Sequence, residues 1–129
     1  MRSVLLIVFV FLATLVQAAD EFIVVATPLS ATLSNKSCDD YTENDPNSKF
    51  QEVCMDRVFN ISYQVLGVLS GSYNGKTIHA IDFYHYSGLP DHMIIDPACV
   101  TFREYRGEYV HIESAPAKKG KSGYVCEST

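Results

Sequence analysis

The stretch Arg57 to Tyr86, RVFNISYQVLGVLSGSYNGKTIHAIDFYHY, predicts the fold more strongly than any other part of the sequence. Apolar and polar side chains alternate from Phe59 to Val65, which is the period of a strand with one buried face. The Asn74–Gly75 pair is favoured where two consecutive turn residues need positive φ. The run that follows is rich in Ile, Phe and Tyr, as strands are. The stretch therefore predicts two long antiparallel strands joined by a tight turn.

Gly67 interrupts the first of these strands, and the apolar positions change parity there. Val65 falls on one face, whereas Leu66 and Val68 fall on the other. A glycine within a strand together with a change of parity predicts a β-bulge or a sharp bend. A long, bent first strand is what a small closed barrel needs.

Shorter strand-like runs flank this hairpin, and they lie at residues 21–26, 99–105, 109–113 and 124–126. Pro28 either ends the first of them or lies within a longer strand. Residues 48–53 fit one short helical turn at most. Five or six strands separated by turn signals, without long helices, predict an all-β antiparallel barrel or sandwich with two hairpins.

The order of a long bent strand, a hairpin and a second hairpin resembles an OB-like barrel over residues 57–113. The resemblance implies a five- to six-stranded barrel of the kind that binds oligonucleotides or oligosaccharides on one face. The chain also resembles the netrin-like and metalloproteinase-inhibitor group in being small, exported and disulfide-bonded. It lacks the N-terminal Cys-x-Cys of the inhibitors, so a metal-chelating inhibitory terminus is not implied.

The N-terminal residues 1–18 have the pattern of a secretory signal peptide. Arg2 precedes an apolar core from Val4 to Val16, and Ala18 ends a suitable cleavage site. The core is shorter than the roughly 20 residues that span a bilayer. No cysteine follows the cleavage site, which disfavours a lipoprotein. We expect residues 19–129 to form one soluble domain, secreted or periplasmic, without a membrane anchor.

Loss of Arg2 with the signal peptide changes the formal net charge from −5 to −6, which disfavours binding to nucleic acid. An even number of cysteines in a small exported domain predicts two disulfides. We favour Cys38–Cys54, which would close a polar loop, and Cys99–Cys126, which would tether the chain end. The main alternative joins Cys38 to Cys99 or Cys126.

Aromatic side chains near the ends of the two hairpins are the best candidates for a binding surface, because Tyr is common in recognition surfaces. The set is Tyr84, His85, Tyr86, Tyr105, Tyr109 and His111. The alternative is that the tyrosines cover the barrel core and leave their hydroxyls in water.

Residue spacing predicts no catalytic residue, no cofactor and no metal site. His79 and His85 would lie about 20 Å apart along an extended strand, so they cannot share a metal ion. No nucleophile is paired with a base in sequence. Asp82 is expected to form an ion pair with Arg57 or Arg103 on a neighbouring strand.

The hairpin of residues 57–86 is also expected to be the folding core. The side chains expected to be buried are Phe59, Ile61, Tyr63, Val65, Ile81, Phe83, Val100, Phe102, Val110 and Ile112.

These features favour a small exported binding module that recognises or inhibits another protein, and not an enzyme. The alternative is a barrel that binds carbohydrate or oligonucleotide, by analogy of fold. A small hydrolase using His and Asp ranks last.

Overall fold

The computed structural model describes residues 21–41 and 54–128, which form six β-strands and two 3-10 turns. In chain order these are β1 (Glu21–Leu33), the first 3-10 turn (Cys38–Tyr41), β2 (Arg57–Ser70), β3 (Thr77–Tyr84), the second 3-10 turn (Asp91–Ile94), β4 (Ala98–Tyr105), β5 (Glu108–Gly120) and β6 (Gly123–Cys126). The sequence predicted at most one helical turn, at residues 48–53. That segment and the predicted signal peptide lie outside the described residues.

Neighbouring strands pair in the order β3–β2–β1–β4–β5–β6, and all of these pairs are antiparallel. A further pair, Ile81 with Val110, joins β3 to β5 in parallel. This pair closes β1, β2, β3, β5 and β4 into a ring and leaves β6 as an edge strand. The predicted all-β, OB-like barrel of five to six strands is confirmed.

The long strand β2 bends where it passes Gly67. Its register with β1 shifts between Gly67 and Val65, so Leu66 has no residue opposite it. The predicted bulge beside Gly67 is therefore confirmed. The first strand, β1, continues past Pro28 to Leu33 instead of ending at the proline.

Alternate side chains of the five ring strands fill the barrel interior, as the period of a strand requires. The buried members are Phe22, Val24, Ala26, Phe59, Ile61, Tyr63, Ile78, Ala80, Ala98, Val100 and Phe102. On β3 the inward positions are Ile78, Ala80 and then Asp82, which is buried. A carboxylate thus enters an otherwise apolar interior.

A second apolar layer lies outside the barrel. Val58 and Ile81 pack there against Cys38 of the first 3-10 turn, and Phe83 and Val110 are partly buried around them. Ile81 is buried as expected, whereas Phe83 and Val110 are only half-buried, and all three lie in this outer layer and not in the barrel interior. Cys38, Tyr41 and Cys54 pack on the outer face of these strands, so alternation within one strand could not distinguish the two apolar faces.

A second bulge explains why Ile112, expected in the core, is 42% exposed. The register of β5 against β4 shifts next to Phe102, and Ile112 has no residue opposite it. The bulge reverses the parity of β5, so that His111 and Ser114 both point inward. Val65, also expected in the core, is half-buried at its edge.

The connection between β2 and β3, residues 71–76, is longer than a two-residue hairpin turn. The expectation of positive φ at Asn74–Gly75 is wrong, since both have negative or extended φ values. Tyr73 determines the conformation instead. Its ring stacks on Phe22 with centroids 5.5 Å apart, and its hydroxyl donates to the Thr77 carbonyl over 2.6 Å. This tyrosine covers one end of the barrel.

The predicted disulfide pairing is confirmed: Cys38 is bonded to Cys54, and Cys99 to Cys126. The first bond closes the loop between β1 and β2, and the second joins β4 to β6. Two disulfides indicate an oxidising environment, extracellular or periplasmic. Within residues 21–41 and 54–128, no helix has the length and apolar character needed to cross a bilayer.

Candidate functional site

A polar cluster lies inside the barrel beneath the second 3-10 turn. Asp82 enters it from β3, and the bulge in β5 directs both His111 and Ser114 inward. His92 comes from the 3-10 turn itself, and Tyr63 reaches the cluster from β2. We call these five residues the Asp82 cluster.

The Asp82 carboxylate is shared between two imidazoles. Its Oδ2 lies 2.5 Å from Nε2 of His92, and its Oδ1 lies 3.3 Å from Nδ1 of His111. The opposite ring nitrogens meet hydroxyls: Nδ1 of His92 lies 3.0 Å from the Tyr63 oxygen, and Nε2 of His111 lies 2.8 Å from Ser114 Oγ. The side chains of Asp82, His92 and His111 are 6%, 12% and 7% exposed, so the protein supplies their polar partners.

The environment fixes the charge of two residues of the Asp82 cluster, Asp82 and Tyr63. Burial alone would raise the pKa of Asp82, but hydrogen bonds and charge interactions with His111 and His92 outweigh burial and lower that pKa. Burial raises the pKa of Tyr63 to about 12; the charge of Asp82 adds to the rise, and Ser114 opposes it. At neutral pH the cluster therefore contains a carboxylate and a neutral phenol.

These charge states allow a complete set of hydrogen bonds. When both imidazoles are neutral, each can donate its N–H to Asp82 and accept a hydroxyl hydrogen at its other nitrogen, from Tyr63 for His92 and from Ser114 for His111. Every polar hydrogen of the cluster then has an acceptor. A fully satisfied network of this kind can be buried at little cost and makes a core more specific.

One carboxylate and two imidazoles, with donor atoms within 4.8 Å of one another, also form a set that transition metals bind. The ring geometry does not fit an ion. The rings of His92 and His111 are stacked, with planes 8° from parallel and centroids 3.8 Å apart. A nitrogen lone pair lies in the plane of its ring, and two stacked planes share no position for a single ion. The arrangement therefore favours protons over a metal.

Ser114, His111 and Asp82 are connected as in serine hydrolases, with the hydroxyl on Nε2 and the carboxylate on Nδ1. A nucleophile, however, must be reached by a substrate carbonyl. The Ser114 hydroxyl points towards a ring that is 7% exposed. The ring of His92 covers one face of His111, and Phe102 packs against it at a steep angle. The geometry therefore favours a structural role for these three residues.

The connection between β3 and β4, which we call the 85–95 segment, has an exposed apolar surface. Tyr86, Leu89 and Ile94 are 68%, 63% and 86% exposed. We call these three side chains the loop surface. Large apolar side chains grouped in one exposed segment mark interaction sites.

The backbone beneath the loop surface is held by side chains of the neighbouring strand. The Arg57 guanidinium donates to the carbonyls of Tyr86 and Gly88 over 2.8 and 2.9 Å. Next to it, Nδ1 of His85 lies 3.0 Å from Oδ1 of Asp56. The segment is therefore a fixed part of the fold at its outer end.

The six aromatic residues proposed from the sequence do not form one surface. Tyr84, His85 and Tyr86 lie together at the end of β3. The ring centroid of Tyr86 lies 5.7 Å from that of Tyr84 and 5.8 Å from that of His85. This group overlaps the loop surface. Leu89 and Ile94 were not singled out, because an exposed aliphatic side chain in a loop has no distinguishing pattern in sequence.

The other three proposed residues lie elsewhere. Tyr105 is 37% exposed at the end of β4. Tyr109 packs edge-on against Phe22, with centroids 5.4 Å apart, and therefore covers the barrel core as the alternative interpretation expected. His111 belongs to the buried Asp82 cluster.

The expected ion pair of Asp82 with Arg57 or Arg103 is wrong. Arg57 holds the 85–95 segment, and Arg103 forms an ion pair with Glu21. The parity of β3 could have placed Asp82 inside the barrel, where a charge needs buried partners. Its histidine partners could not be found from spacing, because one requires the bulge in β5 and the other a loop.

No protein-family model, curated protein or solved structure matches this chain.

Proposed function

We propose that the protein is a small exported binding module that recognises another protein through the loop surface. One observation carries the proposal: the three apolar side chains are exposed, while Arg57 fixes the backbone that bears two of them. Tyrosine is enriched among the residues that dominate binding energy at interfaces. An apolar group that stays exposed on a fixed backbone is suited to a partner and contributes nothing to the barrel core.

The fixed backbone favours binding because it lowers the entropy lost on association. Ordering a flexible loop opposes binding, whereas a loop that is already ordered avoids that cost. The bonds from Arg57 to the carbonyls of Tyr86 and Gly88 supply this order before a partner arrives.

Charges around the loop surface indicate the kind of partner. Asp91 and Asp96 are exposed on either side of Ile94 in the chain, and the protein as a whole is acidic, with a formal net charge of −5. A complementary partner has an apolar pocket with a basic rim. Its association rate is expected to fall as salt is raised, since charges at the edge of an interface act mainly on that rate.

The test is chemical cross-linking of the exported chain in the extracellular or periplasmic fraction of its source, with captured proteins identified by mass spectrometry. The variant Tyr86→Ser/Leu89→Ser removes most of the loop surface. The matched control is Leu66→Ser/Leu69→Ser, which removes two side chains that are each 43% exposed at the far end of β2. A protein captured by the native chain and the control, but lost with the loop variant, supports the proposal. Capture of nothing, or equal capture by all three chains, contradicts it.

A polar cleft of about 540 Å³ favours carbohydrate binding as a second candidate function. Its polar lining side chains are Ser30, Thr32, Asn60, Ser62, His79 and Glu108. Hydroxyl, amide and carboxylate groups suit sugar hydroxyls, and the volume lies in the range of small-molecule sites. The acidic charge of the chain disfavours the oligonucleotide alternative.

Titration of the native chain with neutral oligosaccharides, followed by NMR, tests this second function. Saturable shifts at Asn60 and His79 that disappear in Asn60→Ala support it. Unchanged spectra across a glycan panel rule it out.

A further inference from the structure

We infer that the protonation state of the Asp82 cluster controls the inner end of the 85–95 segment, so that mild acid releases the part of the loop surface around Ile94 from its fixed position. The consequence for binding rests on the proposed function. The release itself is a property of the chain alone.

His92 is the inner anchor of the segment. The 3-10 turn that contains it is short, and its two backbone bonds, Met93 to Pro90 and Ile95 to His92, are both long at 3.2 Å. A single turn with such bonds has little stability of its own. The turn is held mainly by burial of Pro90 and by the two side-chain hydrogen bonds of His92.

The cluster can accept one additional proton without losing a hydrogen bond. If His111 becomes an imidazolium, its Nε2–H donates to Ser114 Oγ, and the Ser114 hydroxyl turns towards Tyr63, which it already influences. The Tyr63 hydroxyl still donates to His92. The charges of His111 and Asp82 then cancel.

A second proton cannot be accepted in the same way. It would leave two imidazolium rings stacked 3.8 Å apart, with one carboxylate between them, in a nearly dry interior. His92 would also have to donate to the Tyr63 oxygen, which leaves no place for the hydrogen bond that Tyr63 now makes. The ring that can leave is His92, because His111 is fixed within a strand that pairs with β4.

Apart from the Asp82 carboxylate, the groups that face His92 from the packed elements add no negative charge that would compensate a second imidazolium. Tyr63 faces it from β2, Asp82 from β3 and His111 from β5, while β4 contributes the apolar ring of Phe102 beside His111. Strand β1 also packs against the turn, and its single titratable side chain, Glu21, pairs with Arg103.

The outer anchors do not involve the Asp82 cluster. His85 contacts Asp56 at the surface, and Arg57 keeps its charge in mild acid. Acid therefore loosens the segment at its inner end, around Ile94, and leaves the backbone at Tyr86 attached.

Amide hydrogen exchange on the full chain tests the inference. The protection factors of Met93 and Ile95, corrected for the intrinsic effect of pH, are expected to fall at least about tenfold between neutral pH and about pH 5. The amides of Ile61 and Val100 in the core should keep theirs. The double variant His92→Gln/His111→Asn keeps an N–H donor at each position facing Asp82 but cannot be protonated. Its protection factors should not depend on pH.

His85→Gln is the matched control and should respond to acid like the native chain. If the double variant does not fold, ring nitrogen shifts of the native chain replace it. His92 must then titrate over the same pH range in which Met93 and Ile95 lose protection. The inference is overturned if the protection factors of Met93 and Ile95 do not change with pH, or if Val100 loses protection to the same extent. It is also overturned if His92 titrates without any loss of protection at Met93 and Ile95. None of these results depends on finding a partner, so failure of the inference and failure of the proposed function are distinguishable.

Discussion

The rings of His92 and His111 stack face to face, 3.8 Å between centroids, although one belongs to a short 3-10 turn and the other to a strand. The stack lets two polar rings pack as flat apolar bodies while their edges bind Asp82 and two hydroxyls. The connection between β3 and β4 is thereby joined to the barrel interior.

Asp82→Asn should destabilise the protein by about 3 kcal/mol at neutral pH, because an amide cannot accept from both imidazoles and leaves one buried donor without a partner. Asp96→Asn, at an exposed site, is the control and should change the free energy of unfolding by less than about 0.5 kcal/mol. Urea unfolding measures both. A native-like value for Asp82→Asn would show that the carboxylate is not the shared acceptor.

The stability that Asp82 contributes should also depend on pH. Its native pKa is lowered, so its contribution is complete above the ordinary carboxyl pKa of about 3.9 and is lost as the pH falls through the lowered native value. The difference in unfolding free energy between the native chain and Asp82→Asn should therefore shrink at about pH 3. A constant difference down to that pH would contradict the assigned shift.

Tyr63→Phe should remove an alkaline destabilisation of the native chain. Burial raises the pKa of Tyr63 to about 12, so its contribution is complete below the ordinary pKa near 10 and is lost as the pH rises towards the native value. The full effect is about 2–3 kcal/mol. Urea unfolding between about pH 9 and pH 11.5 should show a smaller decline for Tyr63→Phe than for the native chain. Tyr86→Phe, at an exposed site, should decline like the native chain.

The bulge in β5 predicts opposite outcomes for two apolar residues at neighbouring positions of β4 and β5. Phe102→Ala should cost about 3–5 kcal/mol, because the ring is fully buried. Ile112→Ala should cost less than about 1 kcal/mol, because that side chain is 42% exposed. Thermal or urea unfolding of the two variants decides whether β5 has the register described. A large loss for Ile112→Ala would mean that it does not.

Cys38→Ser/Cys54→Ser should destabilise the chain by about 3 kcal/mol, as expected for opening a loop of this length; the bond joins residues 16 apart in sequence. Cys99→Ser/Cys126→Ser opens a longer loop, between residues 27 apart, so its loss should be slightly larger in the same chain-entropy model. Reversible unfolding of both variants, without reductant, gives the comparison. A loss below about 1 kcal/mol for the first pair would mean that the outer layer does not depend on its disulfide.

The parts of the fold that local patterns determine could be predicted from the sequence. Alternation placed Phe59, Ile61 and Tyr63 in the barrel, and the change of parity placed the bulge beside Gly67. The disulfide pairing followed from which segments lacked apolar residues to hold them. Each of these conclusions needed information from one short stretch of chain.

The candidate site could not be predicted in this way because it depends on three separate deviations from regular structure. His111 and Ser114 share a face only through the bulge in β5, and His92 reaches the interior only from a 3-10 turn. Asp82 meets them only after β3 and β5 close the ring. The outer apolar layer could not be predicted for a similar reason, since it forms where Cys38 packs against Ile81, which is distant in sequence.

Closure of the barrel through the single parallel pair of Ile81 and Val110 leaves the facing edges of β3 and β5 with few ladder bonds. Strand edges of this kind are templates on which further chains can add. Cys38, Tyr41 and Cys54 belong to the apolar cluster that contains both residues and so shield this seam from outside. A chain in which that bond is reduced is therefore expected to self-associate at concentrations where the oxidised chain remains monomeric, before any loss of the barrel itself.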